Sequence, residues 1–433
     1  MKKVVVIGAG AAGMMAAITA AQSGASVTLI EKNEKTGKKI FITGKGRCNV
    51  TNGCEHDEFF DNIVTNSKFL YSAYAAFDNR SMMELLKEAG CPLKEERGKR
   101  IFPQSDHSSD VIAALNRLLK KERVKVLFHT AVRELLLEEL PEEAQREASK
   151  DSAKQKVSGV LLVDGTTIKA DAVIVATGGQ SYEATGSTGD GYRLAMQAGH
   201  TIKEVKPALV PFVIQEEWCR QLQGLSLKNI SCLIKKDKKK IYEDFGEMLF
   251  THFGISGPLA LSLSSLINRC DLKSVELYLD LKPALDAGTL DKRLLRDFEK
   301  YKNKQLANAM TDLLPQKMIG AVLSASGISE KKSVNVLTKE ERGMLIKTLK
   351  GFLMKPLSLR GFEEAIITSG GVALSEINPK TLESKKIKGL RFCGEVLDVD
   401  AFTGGYNLQI AFSTGYAAGK SIKPSDEGAE KLD

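Results

Sequence analysis

The chain lacks the features that mark disulfide-rich, metal-binding and membrane-spanning proteins. Its 433 residues include seven cysteines, an odd number, with no CxxC spacing and no cluster of cysteine with histidine. These absences argue against a disulfide framework and a zinc site, and unpaired thiols are typical of a reducing cytoplasm. No run of about 18 apolar residues occurs without glycine or a polar interruption, so the sequence predicts no membrane-spanning helix.

The chain is basic, but its lysines are spread widely. The formal net charge is +8, and KKDKKK at 235–240 is the one dense basic run. Such a run is more typical of a solvated hairpin than of a nucleic-acid patch. We therefore expect a small-molecule substrate, with neither a nucleic acid nor a membrane as partner.

The N-terminal stretch VVVIGAGAAGMMAA, residues 4–17, joins an apolar strand to a glycine-rich turn. In a βαβ dinucleotide fingerprint Gly8 permits the tight turn, Gly10 lets the backbone approach a pyrophosphate, and Gly13 lets helix and strand pack closely. A helix predicted over 11–23 then directs its first N–H groups at the phosphates. The same stretch imitates a secretory signal, but nucleotide binding explains the glycine spacing better.

An acidic residue follows at the position that this fingerprint requires. ASVTLIE at 25–31 predicts a second strand, and Glu31 ends it, 18 residues after Gly13. A carboxylate there accepts hydrogen bonds from the hydroxyls of an adenosine ribose and repels a 2′-phosphate. The ligand of this half is therefore expected to be FAD or NAD and not NADP.

A glycine-rich basic segment, FITGKGRCNVTN at 41–52, follows the acid. It is suited to wrap a flavin and its pyrophosphate, and a plain basic surface loop is the alternative. Cys48 and Cys54 are separated by five residues, whereas disulfide reductases of the glutathione-reductase kind have four between their redox cysteines. Because no second GxGxxG precedes a helix, we interpret both thiols as ordinary small side chains.

The middle of the nucleotide domain is rich in predicted strands, at 124–128, 132–137 and 157–175. The last of these ends in the small residues 177–179, which allow a nucleotide to lie close to the backbone. The polar stretch 138–156 predicts a solvated hairpin connection.

The region from about 195 to 355 interrupts this domain. LVPFVI, SCLIKK, KIYED and EMLFTH predict four short strands, 288–350 is mostly helical, and 356–371 returns as a strand. His252, directly before the FGISGP turn, and Ser256, within it, are candidates to line a substrate pocket. The alternative is that this motif is only a rigid strand-to-helix turn. The predicted domains are a nucleotide-binding domain over 1–194 and 357–433, which the family resemblance described below identifies as FAD-binding, a β-rich insert over 195–254 with about 340–356, and a helical insert over 255–340.

Several blocks together resemble a known family. They are ATGGQSYEATGSTGDG, GKGRCNVTN, LFTHFGISGP, TSGGVALSEINPKTLESK and CGEVLDVDAFTGGYNLQIA. The chain resembles the BaiN/YhiN-like family of bacterial FAD-dependent oxidoreductases, which is related to aminoacetone oxidases. The resemblance extends from residue 4 to about 419.

This resemblance implies an α/β fold and a bound cofactor. The fold is a discontinuous, Rossmann-like two-dinucleotide-binding flavoprotein domain with an inserted β-rich subdomain and a helical subdomain, and the cofactor is non-covalent FAD. The FAD-contacting positions that it implies are Gly8, Gly10, Ala11, Ala12, Gly13, Glu31, Lys32, Arg47, Cys48, Asn49, Val132 (through its backbone, to adenine), Thr177, Gly178, Gly394, Glu395, Gly405, Tyr406, Asn407 and Leu408. Ala401 stands where the family pattern has a glycine, a change expected only to tighten that turn.

The two glycine-rich turns then have complementary duties. The N-terminal turn is expected to hold the adenylate and diphosphate, and the turn that begins the last helix is expected to face the pyrimidine edge of the flavin. That edge gains negative charge on reduction, which a helix N-terminus stabilises.

The expected activity is hydride exchange between flavin N5 and a small or steroid-like organic substrate. The resemblance implies a reductase of the C=C bond of an enone or oxo-bile acid, with NAD(P)H as transient donor, or alternatively an amine oxidase of the aminoacetone type that uses O₂. Two further classes stay open, a tRNA-modifying or nucleic-acid-binding flavoprotein and a non-enzymatic flavin-binding regulator. Tyr182 and Tyr406 are candidate proton donors, although packing explains each of them better, and no catalytic residue is assigned.

Overall fold

The computed structural model describes residues 1–141 and 153–423. The chain divides into a larger unit, Met1–Pro207 with Ala365–Asp433, and a smaller unit, Ala208–Glu364. The smaller unit begins 13 residues after the predicted start of the insert at 195 and ends 8 residues after its predicted end at 356. The strand Ile202–Ala208 pairs with the strand Ile367–Val372.

The strands and helices follow one another along the whole chain. The strands are β1 Lys3–Ile7, β2 Ser26–Ile30, β3 Thr51–Asn52, β4 Ile63–Thr65, β5 Leu93–Glu96, β6 Arg100–Pro103, β7 Lys125–Leu127, β8 Val132–Glu139, β9 Gln155–Leu162, β10 Thr167–Lys169, β11 Ala172–Val175, β12 Ile202–Ala208, β13 Phe212–Ile214, β14 Ser226–Lys236, β15 Lys239–Phe250, β16 Gly254–Ser256, β17 Val275–Asp280, β18 Phe352–Met354, β19 Pro356–Leu359, β20 Ile367–Val372, β21 Ile387–Lys388, β22 Leu390–Phe392 and β23 Asp400–Ala401. The α-helices are α1 Ala11–Gln22, α2 Lys38–Ile42, α3 His56–Asp61, α4 Tyr71–Ala76, α5 Asn79–Glu88, α6 Ser108–Lys121, α7 Asp190–Gln197, α8 Trp218–Gln221, α9 Pro258–Ile267, α10 Ala287–Lys300, α11 Leu306–Ala309, α12 Gln316–Ala325, α13 Lys339–Lys350 and α14 Tyr406–Lys420. Among the described residues, no helix combines the length and the apolar character needed to cross a bilayer.

The larger unit is built on a five-stranded parallel sheet in the order β22-β11-β1-β2-β7. Its central strands are apolar runs buried on both faces, as parallel strands are when helices cover them. The predicted Rossmann-like α/β class is therefore confirmed. Because β22 comes from the end of the chain, the sheet brings the C-terminal segment beside the N-terminal one.

The hairpin β8–β9 spans the predicted acidic connection. Its two strands pair in antiparallel register from Val132 opposite Leu162 to Glu139 opposite Gln155. Residues 142–152, the centre of that connection, lie outside the described part of the chain.

The smaller unit holds a seven-stranded sheet in the order β18-β17-β14-β15-β16-β13-β19. The prediction of KIYED and EMLFTH as two strands is wrong, because KIYED and the first four residues of EMLFTH lie in the single long strand β15. The predicted strand over 356–371 is interrupted, since β19 ends at Leu359 and β20 begins at Ile367. The strand β17 lies within residues 255–340, which the sequence analysis assigned to the helical insert, yet it pairs with β14, which was assigned to the β-rich insert. The division of the smaller unit into two subdomains therefore stays a prediction.

Two helices of the larger unit approach each other so closely that only glycine fits between them. A Cβ atom built on Gly415 of α14 would lie 2.4 Å from the carbonyl oxygen of Ala12 in α1, and one built on Gly419 would lie 2.4 Å from that of Ala16. Contacts this short are excluded for real Cβ atoms, so the last helix depends on glycine at these two positions for its packing.

The substitution Gly415→Ala is expected to lower the free energy of unfolding by about 1–3 kcal/mol, because the two helix backbones must move apart. Gly343→Ala is the matched control, since Gly343 is also helical but a Cβ there would meet nothing within 4 Å. That change is expected to raise stability by about 0.5–1 kcal/mol. Thermal unfolding followed by circular dichroism checks both, and equal effects of the two substitutions would contradict the packing account.

A buried histidine of the larger unit connects two polar residues of the C-terminal segment. Nδ1 of His200 lies 3.0 Å from Oε2 of Glu376, and Nε2 lies 2.7 Å from Oγ of Ser384. Ser384 Oγ also accepts the N–H groups of Lys386 and Ile387, so its hydrogen is directed at Nε2 and His200 is neutral. Burial lowers the pKa of His200, against the contact with Glu376, which raises it.

This arrangement predicts that acid destabilises the larger unit. Because the folded-state pKa of His200 is lowered, the unfolded chain takes up a proton more readily as the pH falls below the ordinary histidine value of about 6.5. The free energy of unfolding is therefore expected to decrease as the pH falls from about 7.5 to about 5.5. Urea unfolding across that range checks the slope, and the slope should be smaller in His200→Asn, which cannot titrate there.

Candidate functional site

The three glycines of the N-terminal turn have different surroundings. A Cβ on Gly8, whose φ is +99°, would lie 2.6 Å from the carbonyl oxygen of Ala176, and one on Gly13 would lie 1.7 Å from that of Gly8. A Cβ on Gly10 would meet nothing within 4 Å. Gly8 and Gly13 are thus needed for packing, whereas Gly10 leaves open space in front of the N-terminus of α1. That space is the feature that the fingerprint assigns to a pyrophosphate.

The carboxylate of Glu31 is held by donors from the turn that it adjoins. Oε2 accepts the N–H of Ala9 at 2.8 Å, and Oε1 accepts the N–H and the side-chain amide of Asn33 at 2.9 and 2.7 Å. A carboxylate oxygen can accept more than one hydrogen bond, so the group remains able to bind ribose hydroxyls. Lys32, the next residue, forms an ion pair within the protein, since its Nζ lies 2.7 Å from Oδ2 of Asp190.

The N-terminal and C-terminal glycine segments meet at the start of α1. A Cβ on Gly394 would lie 2.7 Å from that of Ala12, and Gly415 lies against the carbonyl of the same alanine. The N–H of Gly394 donates to Oγ1 of Thr414 at 2.9 Å, which holds the returning turn on the last helix. Two segments from opposite ends of the sequence therefore form one side of the candidate site.

Two buried polar atoms lie on predicted cofactor-contacting residues and have no hydrogen-bond partner within the described ranges. They are Oγ1 of Thr177, two residues after the end of β11, and Oδ1 of Asn49, in the basic loop. A buried polar atom without a partner costs free energy, so a ligand that supplies hydrogen bonds relieves both. Together with the open space at Gly10, these atoms show that the residues present fit a polar nucleotide cofactor.

Lys39 is a residue of the site that the sequence reasoning missed. Its Nζ donates to Oε2 of Glu395 at 2.7 Å and to Oγ of Ser181 at 2.6 Å. The other oxygen of Glu395 accepts from Ser181 Oγ and from the N–H of Thr368, both at 2.9 Å. Lys39 thus ties the C-terminal turn to the loop after β11. The run of lysines before FITGKG was the available signal, but it did not identify the partner.

Arg47 is also engaged by protein groups. Its guanidinium forms ion pairs with Glu96 and Asp106 and lies 4.2 Å from the ring centroid of Phe102. The preceding loop contains consecutive left-handed residues from Gly44 to Gly46. The contact of Arg47 with FAD stays a prediction.

Cys48 and Cys54 are buried, free thiols. Burial raises the pKa of Cys48 to about 12 and that of Cys54 to about 11. A thiol of this kind supplies almost no thiolate at neutral pH, which is the form that attacks a disulfide. The structure therefore favours ordinary packing over a redox pair.

The first turn of the last helix is held by its own side chains. Gly405 has φ +100°, and a Cβ there would lie 2.4 Å from the backbone of Thr51. The side chain of Asn407 accepts from the N–H of Ala401 at 3.0 Å and donates to its carbonyl at 2.8 Å. Ala401 lies in β23 and outside the left-handed region, so alanine fits there without strain.

Tyr406 and Leu408 of this turn contact protein. The ring of Tyr406 lies 5.8 Å from that of Phe59, its hydroxyl interacts with Cys54, and burial raises its pKa. Leu408 packs against the apolar core of the larger unit. These contacts support the packing interpretation of Tyr406 over its use as a proton donor.

The remaining predicted residues lie on several different elements. The carbonyl of Val132 accepts from Arg193 at 3.1 Å, and Tyr182 precedes a short helical turn with φ +55°. His252 and Ser256 belong to the smaller unit, where His252 is exposed against Phe253. Their segment leads through the strand β16 and a turn at Gly257 into α9. The use of His252 and Ser256 in a substrate pocket stays a prediction.

The thiol environments predict a selective reaction with alkylating reagents. At pH 8 a thiol with a pKa of about 12 is ionised in roughly one molecule in ten thousand, so Cys48 is expected to resist iodoacetamide. Cys270, which is half-buried, is expected to react first. Mass spectrometry of the native protein checks the order, with the unfolded protein as control. Modification of Cys48 and Cys54 ahead of Cys270 would contradict the packing role.

Comparison with known proteins places these features in a family. A family profile described as "HI0933-like protein Rossmann domain" matches residues 2–421. The chain is 33% identical over 431 residues to "3-dehydro-bile acid delta(4,6)-reductase" of Clostridium scindens, covering 97% of this chain and 99% of the relative. It is 29% identical to "Ribosomal RNA dihydrouridine synthase" of Escherichia coli, over 96% of this chain and 97% of the relative. The protein of the same name from Haemophilus influenzae is 31% identical over 96% of this chain and 98% of its own length.

Proposed function

The chain belongs to the HI0933-like Rossmann family, and on that premise we propose that it reduces a C=C bond conjugated to a carbonyl group. It is an oxidoreductase, and the two reactions named for its relatives share this chemistry. A 3-dehydro bile acid that has a Δ4 bond carries a ketone conjugated with that bond, and uridine has a C5=C6 bond next to its C4 carbonyl. The shared chemistry of two such different substrates is the observation that carries the proposal.

The reaction adds a hydride to the carbon β to the carbonyl and a proton to the α carbon, so the substrate gains two electrons and two hydrogens. When bound, FAD would supply that hydride after it had received one from NADH or NADPH. We infer non-covalent FAD as the cofactor. The supporting observations are the open space at Gly10 and the partnerless buried atoms of Thr177 and Asn49 in the described structure.

The chain's own residues bind and orient this cofactor. The N–H groups at the start of α1 direct positive partial charge toward the diphosphate, and Glu31 accepts the ribose hydroxyls. The N-terminus of α14, beginning after Gly405, stabilises negative charge at the pyrimidine edge of the flavin. Glu395 and Lys39 neutralise each other and keep the C-terminal turn in place.

Two substrate classes follow from the same chemistry. A steroid-like enone is the first, in line with the relative of 33% identity. A uridine in RNA is the second, and the excess of lysine and arginine over acidic residues in the smaller unit favours it. The three relatives give no support to an amine oxidase.

The test is an anaerobic titration of the FAD-loaded protein. NADH or NADPH is expected to bleach its yellow absorption band, and a Δ4-3-ketosteroid or a uridine-containing RNA is expected to restore it. Loss of the enone absorption, or formation of dihydrouridine detected by mass spectrometry, identifies the product. Failure of both nicotinamides to bleach the flavin would overturn the reductase proposal, and hydrogen peroxide formation from aminoacetone in air would support an oxidase instead.

A pair of glycine substitutions tests the cofactor site independently of turnover. Gly10→Ala is expected to leave unfolding unchanged, because nothing lies near the added Cβ, and to weaken FAD binding about 10- to 100-fold, the effect of a conflict of about 1–3 kcal/mol. Gly13→Ala, the control within the same motif, is expected to destabilise the apoprotein itself. Flavin fluorescence titration and thermal unfolding measure the two effects. Unchanged FAD affinity in Gly10→Ala would place the cofactor elsewhere.

A further inference from the structure

The turn that leads into α14 is held against the short strand β3. A Cβ atom on Gly405, the residue before the helix, would lie 2.4 Å from the carbonyl carbon and oxygen of Thr51. The side-chain amide of Asn52 donates to the carbonyl of Gly404 at 3.1 Å and to that of Gly98 at 3.0 Å. The turn and the strand are therefore in contact through their backbones, so a shift of the strand moves the turn.

A buried glutamine connects the same strand to the helix itself. Oε1 of Gln409 accepts the hydroxyl of Thr51 at 2.7 Å, and both side chains are fully buried. Nε2 of Gln409 donates to the carbonyl of Phe77 at 3.2 Å and to Oγ of Ser413 at 3.0 Å. The hydroxyl of Ser413 donates to the same carbonyl at 2.6 Å.

This network of Thr51, Gln409, Ser413 and the carbonyl of Phe77 permits one orientation of the glutamine. A carbonyl oxygen can only accept hydrogen bonds, so the amide of Gln409 cannot turn its own oxygen toward Phe77. Its two hydrogens and its oxygen are all used. A buried network in which every member is satisfied is rigid, and it fixes the first turns of α14 on β3.

The N–H groups at the start of α14 are not needed by this network. The N–H of Gln409 is bonded to the carbonyl of Gly405, as in a regular helix. The N–H groups of Tyr406, Asn407 and Leu408 precede that bond, and no side chain in the described part of the chain caps the helix at Gly405. The positive end of a 15-residue helix is thus held in one direction by a buried frame.

We propose that Thr51 and Gln409 are positioning residues that raise the reduction potential of the bound flavin by holding this helix end at its pyrimidine edge. That edge gains negative charge on reduction, so a fixed positive helix end stabilises the reduced form more than the oxidised form. The two residues act through the backbone of the turn and need no contact with the flavin. The proposal rests on the FAD cofactor of the proposed function.

The first test is the pair Thr51→Val and Thr51→Ser. Valine lacks the hydroxyl that Gln409 accepts, which leaves Oε1 buried without that donor, whereas serine retains it. Thr51→Val is expected to raise the Kd of reduced FAD about 3- to 10-fold relative to that of oxidised FAD, since the helix end loses its fixed direction. A tenfold change lowers the two-electron potential by about 30 mV. Thr51→Ser is expected to keep the parental potential.

The potential is measured by slow anaerobic reduction with dithionite in the presence of a reference dye. Flavin fluorescence titration gives the Kd of oxidised FAD for each variant. Neither measurement uses turnover or a nicotinamide, so both are independent of the reductase activity.

Thr19→Val is the matched control for a general loss of stability. Thr19 is also buried, and its hydroxyl lies 2.9 Å from the carbonyl of Met15 and 3.3 Å from that of Tyr416, in the second half of α14. The substitution removes a buried hydroxyl from the same helix pair but leaves the first turn in place. Thermal stability is therefore expected to fall while the potential stays at the parental value.

A second variant, Gln409→Met, tests whether the two residues act together. Methionine has a similar length but cannot make the amide hydrogen bonds, so the potential is expected to fall as in Thr51→Val. Because both changes break one network, Thr51→Val/Gln409→Met is expected to shift the potential no further than Gln409→Met alone. Additive shifts would contradict action through a shared network.

The results separate this inference from the proposed function. A parental potential in Thr51→Val and Gln409→Met, or an equal shift in Thr19→Val or Thr51→Ser, would overturn the inference and leave the reductase proposal intact. A parent protein that binds no FAD would overturn both. The expected shifts in a protein whose flavin neither NADH nor NADPH bleaches would support the inference and overturn the reductase proposal.

Discussion

The close approach of two backbones at Ala12 is the constraint on which the candidate site depends. The carbonyl of Ala12 leaves no room for a side chain on Gly415, and its methyl group leaves none on Gly394. Glycine at both positions lets the last helix and the turn before it reach the start of α1. The parallel order β22-β11-β1 delivers these segments to the same edge of the sheet, where open α/β sheets place their ligands.

Around this contact, charged side chains are already arranged by protein partners. Glu31 is held by backbone and amide donors, and Glu395 is held by Lys39. Groups oriented in advance need little reorganisation when a ligand binds, which makes binding more favourable. The buried atoms of Thr177 and Asn49 contrast with these, because they have no hydrogen-bond partner in the described structure.

The two units differ in their physical character, and this difference suggests a division of tasks. The larger unit carries glycine turns and balanced charge, which suit a buried cofactor that itself carries phosphate groups. The smaller unit carries most of the net positive charge and a seven-stranded sheet.

Local pattern determined the parts of this protein that depend on short-range chemistry. The apolar run and glycine spacing at residues 4–17 predicted β1, α1 and the distinct duties of Gly8, Gly10 and Gly13, because strand, turn and helix are set by neighbours in sequence. Tertiary structure decided the pairings: Lys39 with Glu395 joins residues 356 positions apart, and Arg47 meets Glu96 and Asp106 through strands that no local pattern aligns. Such partners are chosen by which backbones the sheet order and the glycine contacts bring together, and that choice is made only when the chain folds.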